Sequence, residues 1–243
     1  LGVAFAEAGH DVVGYDVDAG RVALLDGGES DIEDVDSDRL AALAERFTAT
    51  SDAGELAACG AILICVPTPL AAEREPDLTY VKASTETIAG ILQPGQLVVL
   101  ESTTYPGTTR EELLPVLERG GMKVGEDFHL AYSPERIDPG RSDHQIATTP
   151  KVVGGMTPAC VERATAVYAE VCDTVVPVSS PEAAELSKLL ENIFRSVNIA
   201  LVNELAQLTD RLGIDIWEVI DAASSKPFGF MRFEPGPGMG GHC

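Results

Sequence analysis

Short apolar runs punctuate this chain at regular intervals. They lie at Ala61-Ile-Leu-Ile-Cys-Val66, Gln96-Leu-Val-Val-Leu100, His129-Leu-Ala-Tyr132 and Lys151-Val-Val-Gly154, with a shorter one at Asp173-Thr-Val-Val-Pro177. Between them, apolar residues recur at helical spacing over about 38–46, 78–92, 108–119 and 157–172. Strands that alternate with helices of this length predict a mostly parallel sheet covered on both faces. After Ser179-Ser180-Pro181 the rhythm changes, and residues 182–212 contain neither Gly nor Pro. This stretch predicts one long helix, with Ser180 as its N-cap and Pro181 in the first turn. The third helical position is Ala183, so no capping box forms. Glu182 and Glu185 suit the positive end of the helix dipole.

The first sixteen residues carry a second pattern. Residues 1–10 read as the tail of an apolar helix that stops at a glycine, and Asp11-Val-Val-Gly-Tyr-Asp16 reads as a short buried strand ending in an acid. In a Rossmann unit these are the second and third parts of β-α-β, and the terminal acid holds the ribose hydroxyls of NAD. The first strand and its G-x-G-x-x-G turn are then expected before residue 1. The expected organisation is a Rossmann-like doubly wound sheet over 1–180 and a helical central domain over 181–243, both truncated.

Composition narrows the function. With 39 acids against 17 bases the formal net charge is −22, a poor match for nucleic acid. The acids spread along the whole chain, which suits a solvated surface working in high salt. No apolar run is long enough to span a membrane. The five cysteines are scattered without a C-x-x-C pair, so neither a metal site nor a disulfide framework is expected. Cys59, Cys65, Cys160 and Cys172 are expected to be inert core residues.

The fifth cysteine stands apart. Pro235-Gly-Pro-Gly-Met-Gly-Gly-His-Cys243 puts a thiol at the end of a glycine-rich loop, where backbone and substrate can approach closely. On the long helix Lys188 and Asn192 are four residues apart and share a face, which Arg195 extends. A lysine among apolar neighbours can hold an oxyanion or move a proton. Three loops follow strands, where open α/β sheets place their ligands. Cys65-Val-Pro-Thr-Pro69 and Glu101-Ser-Thr-Thr-Tyr-Pro-Gly-Thr108 are expected to be rigid, with hydroxyl donors aimed outward. In Tyr132-Ser-Pro-Glu-Arg-Ile-Asp-Pro-Gly140, Glu135 can orient a water and Arg136 can meet a phosphate or carboxylate.

Taken in order, Asp16, Val66-Pro-Thr-Pro69, Ser102-Thr103 with Pro106-Gly-Thr108, Ser133-Pro-Glu135, Lys188-x-x-x-Asn192 and Gly240-Gly-His-Cys243 resemble the UDP-glucose/GDP-mannose dehydrogenase family over essentially the whole chain. Glu75-Pro-Asp-Leu78, Glu101-Ser-Thr-Thr-Tyr-Pro-Gly107, Ser133-Pro-Glu-Arg136 and Lys226-Pro-Phe-Gly-Phe230 look most like its N-acetylhexosamine branch, with N-acetylglucosamine ahead of N-acetylmannosamine. The glucose branch has a second Glu four residues after the first; here Pro139 stands there.

The resemblance implies a four-electron oxidation of a UDP-sugar at C6 with two NAD⁺, through a thiohemiacetal and a thioester on Cys243. It implies that Lys188 and Asn192 stabilise the oxyanions and that Glu135 with Thr103 positions the hydrolytic water. Asp16 and Arg21 would bind the adenosine ribose. Val66, Pro67, Thr68, Ser102 and Thr103 would line the dinucleotide. Arg136, Ile137, Lys188, Asn192, Arg195 and Gly240 would contact the sugar nucleotide. The long helix over 182–212 is expected to be the surface of a homodimer; the protein is expected to be cytoplasmic, without metal, and to serve polysaccharide biosynthesis. A relative of the β-hydroxyacid dehydrogenases and a non-catalytic NAD-binding module are the other readings.

Overall fold

The computed structural model describes residues 1–32, 34–70, 75–137 and 146–238. It divides into two compact units, Leu1–Lys188 and Leu189–Cys243.

The first unit opens with α1 (Gly2–Glu7), β1 (Val12–Tyr15), α2 (Ala19–Asp26), α3 (Ser37–Ala41) and β2 (Phe47–Thr50). Then come β3 (Ala61–Ile64), α4 (Thr79–Ala89), β4 (Leu97–Leu100), α5 (Leu114–Leu117), β5 (His129–Tyr132), β6 (Lys151–Gly155), α6 (Pro158–Tyr168) and β7 (Val175–Val178). Helix α7 (Pro181–Leu212) begins in this unit and continues into the second, which adds α8 (Ile216–Ser224).

The strands form two sheets rather than the single one expected. β1 and β2 pair in parallel, Val12 opposite Phe47. The other five run in the order β3-β4-β5-β6-β7, parallel except for the β5–β6 pair. The antiparallel pair arises where no helix intervenes among the described residues between β5 and β6.

β4 is the centre of the core. Leu97, Val98, Val99 and Leu100 are all fully buried. Val98 and Leu100 pack under α4 and α5 with Val81, Ile88 and Leu117, whereas Leu97 and Val99 pack under α6 with Ala164 and Tyr168. A strand buried on both faces reads as a continuous apolar run, which is why these strands were visible in the sequence.

Other elements differ from expectation for local reasons. The helix predicted over 38–46 stops at Ala41, because the chain must turn into β2. β2 (Phe-Thr-Ala-Thr) is edge-like and only partly buried, so it carries no apolar run. The stretch 108–119 is a π turn at Thr109–Leu113, a short α5 and a 3-10 turn rather than one helix. Pro115 lies in this stretch and has no N–H to give to the turn before it. Helix α2 is capped by Asp18, whose side chain accepts from Gly20 and Arg21 N–H. Asp215 caps α8 in the same way through Trp217 N–H. Helix α2 is short and carries only a weak apolar period, whereas α8 does carry one, with Ile216, Val219, Ile220 and Ala223 on one face.

The entry to α7 is built as the sequence predicts. Ser180 Oγ accepts from Ala183 N at 3.3 Å. The turn crosses β6 so closely that a Cβ on Gly154 would lie 2.2 Å from the Ser180 carbonyl oxygen. Along α7 an apolar stripe at Leu190, Ile193, Val197, Leu201, Leu208 and Leu212 is 50–64% exposed. Among the described residues no helix is long and apolar enough to cross a membrane.

Candidate active site

The register of the main sheet aligns the ends of three strands. Ile64, Leu100 and Tyr132 lie side by side, so the residues that follow them leave the sheet in one row. These are Cys65, Glu101 and Ser133, and the row is kept by Glu101 N donating to Ile64 O and Ser133 N donating to Leu100 O, each at 3.0 Å. The candidate loops therefore meet at the carboxyl edge of a parallel sheet, as ligand-binding loops of this architecture do.

The hydroxyls in these loops do not all face outward, contrary to expectation. Ser102 is buried, and its hydroxyl donates to Val66 O at 2.6 Å. Thr68 Oγ1 donates to Thr103 O at 2.8 Å. Both bonds stitch the β3 loop to the β4 loop, satisfying carbonyls that would otherwise be orphaned near the core. Val66, Pro67 and Thr68 are thereby held next to Ser102 and Thr103. Cys65 is likewise no core residue: β3 ends at Ile64, and Cys65 is exposed at the loop's start. Cys160 and Cys172 are buried as expected, while Cys59 is half-buried.

Asp16 sits at the tip of β1. Its Oδ1 accepts from Asp18 N at 2.9 Å, and its Oδ2 pairs with Arg21 Nη1 at 3.2 Å. Arg21 also pairs with Asp31 through Nε at 2.9 Å. The two residues assigned to the ribose are thus together, and the carboxylate is oriented but still partly open. An oriented acceptor at a strand tip fits a ribose diol, the group NAD would present.

Glu135 is held by its own loop. Its Oε1 accepts from Arg136 N and Ile137 N, both at 2.7 Å, and its Oε2 lies 3.9 Å from Lys151 Nζ. Arg136 turns its guanidinium to Pro150 O at 2.7 Å. Beneath this loop lies a buried ionic cluster that the sequence reading did not single out. Lys151 Nζ pairs with Glu101 Oε2 at 3.2 Å, and Tyr168 OH donates to Glu101 Oε1. Burial, then the Glu101 charge, pushes the Tyr168 hydroxyl well above its ordinary pKa, so it remains a donor. The scarcity of lysine in the chain was the one available signal for Lys151.

Glu185 was missed as a structural clamp. It is fully buried and accepts from Gly107 N at 2.6 Å, Thr109 N at 2.9 Å and Thr109 Oγ1 at 2.7 Å. It ties the Pro106-Gly107-Thr108 loop to the first turns of α7. Lys188, one turn further on, is 5% exposed, and among the described residues its ammonium has no carboxylate partner. An unpaired buried cation is costly, so such a site is kept where the charge has a use. α7 runs unbroken past Lys188, so Asn192 follows one turn along. Asn192 Oδ1 accepts from Arg195 Nη2 at 3.0 Å.

In the second unit the chain leading to the glycine-rich loop is tethered to α7. Asn203 Oδ1 accepts from Gly236 N at 2.9 Å, and its Nδ2 reaches Gly238 O at 3.4 Å. Gly240 and Cys243 lie outside the described residues, as does Pro139. Among the described residues no group of three His, Cys, Asp or Glu could hold a metal ion.

Residues 1–172 match the UDP-glucose/GDP-mannose dehydrogenase family NAD binding domain, and residues 182–243 match that family's central domain. The chain belongs to this family. It is 41% identical over 234 residues to a UDP-N-acetyl-D-glucosamine 6-dehydrogenase of Pseudomonas aeruginosa, covering 96% of this chain and 55% of that protein. It is 38% identical over 248 residues to a UDP-N-acetyl-D-mannosamine dehydrogenase of Yersinia pestis, covering 99% of this chain and 59% of that one. A solved UDP-D-ManNAc dehydrogenase from Pyrococcus horikoshii superposes with a TM-score of 0.92 at 34% identity, over 100% of this chain and 58% of that one. The chain thus spans a little over half the length of the relatives it matches. For a member of the UDP-glucose/GDP-mannose dehydrogenase family, the row of strand ends in residues 1–172 is the edge of its NAD-binding domain.

Proposed function

We propose that this chain is the NAD-binding and central part of an NAD-dependent UDP-N-acetylhexosamine 6-dehydrogenase. The substrate we assign is UDP-N-acetylglucosamine, oxidised at C6 to the uronic acid. The NAD-binding part is assigned to 1–180 and the central helical part to 181–243. One observation carries the reading: a buried lysine without a carboxylate partner among the described residues, Lys188, on the helix that Glu185 pins to the β4 loop. The 41% identity to a UDP-N-acetyl-D-glucosamine 6-dehydrogenase supports the choice of sugar.

NAD⁺ supplies a hydride acceptor, used twice per sugar. Asp16 and Arg21 hold the adenosine ribose, and Val66, Pro67, Thr68, Ser102 and Thr103 form the wall beside the dinucleotide. Lys188 and Asn192 stabilise negative charge on the C6 oxygen. The thiolate of Cys243 adds to the aldehyde carbon to give a thiohemiacetal, which oxidation converts to a thioester. Glu135, with Thr103, then takes a proton from the water that attacks the thioester, and the thiol leaves. Arg136, Ile137, Arg195 and Gly240 bind the sugar nucleotide. The exposed α7 stripe supports a homodimer formed through 182–212, because a continuous apolar face of this kind is covered by a partner helix. The protein works in the cytoplasm, in polysaccharide biosynthesis.

The test is a panel of UDP-sugars offered to the whole protein. UDP-N-acetylglucosamine should be oxidised to its uronate in preference to UDP-N-acetylmannosamine and UDP-glucose, and Cys243→Ala should abolish uronate. A folded Cys243→Ala protein that still makes uronate contradicts the thiol mechanism.

A further inference from the structure

Lys151 is far from the glycine-rich loop in sequence and opens β6, whereas Glu135 lies in the loop after β5. The antiparallel register nevertheless brings the two together. Ala131 lies opposite Gly155 and Tyr132 opposite Gly154. Each step forward from β5 matches one step back along β6, so the register continued past the strand end sets Glu135 against Lys151. The side chains complete the approach, Nζ to Oε2 at 3.9 Å. The lysine is anchored from below: its side chain is 8% exposed, it pairs with the buried Glu101 at 3.2 Å, and it lies 5.1 Å over the Tyr168 ring. Glu135 is 45% exposed and so presents its carboxylate outward.

We propose that Lys151 is a positioning residue for Glu135 in the hydrolytic half of the reaction. The proposal rests on the role assigned to Glu135 above. With Oε1 taken by two backbone N–H groups, Oε2 is the oxygen left for water. At 3.9 Å the ammonium attracts Oε2 without occupying a hydrogen-bonding lone pair. It fixes the carboxylate's direction and separates it from the second carboxylate, Glu101. In the step itself, water oxygen bonds to the thioester carbon and its proton passes to Glu135 Oε2. The C–S bond then breaks, the proton passes on to the departing thiolate, and a second proton leaves with the uronate product's ionisation. One water is consumed, and nothing is oxidised or reduced.

Removing Lys151 alone strands the Glu101 charge in the core, which by itself unfolds many proteins. The decisive variant is therefore Lys151→Met combined with Glu101→Gln, which removes both charges and leaves Tyr168 an amide oxygen to donate to. In the whole protein, with UDP-N-acetylglucosamine and NAD⁺, this variant should keep both hydride transfers while its turnover falls at least tenfold. Acid-quenched samples should show by intact-mass spectrometry a sugar-nucleotide acyl group accumulating on Cys243. Lys151→Arg should restore most turnover and leave no adduct. A folded double variant that turns over like wild type overturns the proposal. So does one that slows with no adduct, since the loss is then general rather than hydrolytic. The parent reading is judged separately on wild type: one NADH per sugar removes it, and this proposal with it; two NADH leave it standing whatever Lys151 does.

Discussion

In the proposed reading, Lys188 and Asp16 divide the chemistry between two single residues. Among the described residues Lys188 is buried without an ion-pair partner, and Asp16 is an oriented carboxylate at a strand tip. Lys188→Ala in the whole protein should cut turnover roughly a hundredfold or more, the usual cost of one charged oxyanion donor, with little change in NAD affinity. Asp16→Ala should weaken NAD and leave turnover at saturating NAD mostly intact. Steady-state kinetics with calorimetric NAD titration separates the two. Normal turnover in a folded Lys188→Ala protein makes that lysine part of a polar stripe and nothing more. Glu182 gives a second test at this scale. Its hydrogen bond to Arg110, 2.5 Å from Nε to Oε1, lowers its pKa to about 2. A lowered folded-state value means the stabilisation is full above the ordinary carboxylate range and is lost as pH falls toward 2. The pair is about a third to a half exposed, so it contributes no more than about 1 kcal/mol. A carboxyl NMR titration should place the Glu182 midpoint near 2, and in Arg110→Ala the midpoint should rise while staying below the ordinary carboxylate value, because the backbone and Ser180 hydrogen bonds remain. An unchanged midpoint in the variant rules out Arg110 as the cause. At this scale the sequence was legible where a motif stood in one stretch. It was silent on Glu101, Lys151 and Tyr168, because their cluster is assembled across β4, β6 and α6 and has no spacing to read.

Among the elements, α7 carries the clearest expectation. Its start was readable from Ser180 and Pro181, since capping is local chemistry, and its length from the absence of Gly and Pro. What the sequence could not reveal is that Gly154 is required where this turn crosses β6, or that Glu185 faces inward to clamp the β4 loop. Elements α2 and β2 went unread because each is short and only partly buried, leaving no clear apolar period; α8 has an apolar period at Ile216, Val219, Ile220 and Ala223 but spans only Ile216–Ser224 after a long helix. The exposed face of α7 yields a prediction for assembly. Val197→Glu with Leu201→Glu puts two charges in the middle of the stripe and should convert a dimer to monomers by sedimentation. A wild-type protein that is already monomeric at micromolar concentration contradicts a dimer through 182–212.

At the scale of the whole molecule, the alternation of strands and helices was enough to reach the doubly wound fold, but not the division into a two-stranded and a five-stranded sheet. That division depends on which strands find a neighbour, a non-local property. The charge of −22 acts at the same scale. Repulsion among carboxylates grows with the Debye length, so the melting temperature should fall as NaCl is lowered from molar to low-millimolar concentration. An unchanged melting temperature removes the high-salt reading.

The central claim is a four-electron oxidation that passes through a thioester, and its products can be counted. With limiting UDP-N-acetylglucosamine and excess NAD⁺, the whole protein should form two NADH for each uronate and release no free aldehyde. One NADH per sugar, with aldehyde accumulating, contradicts the account.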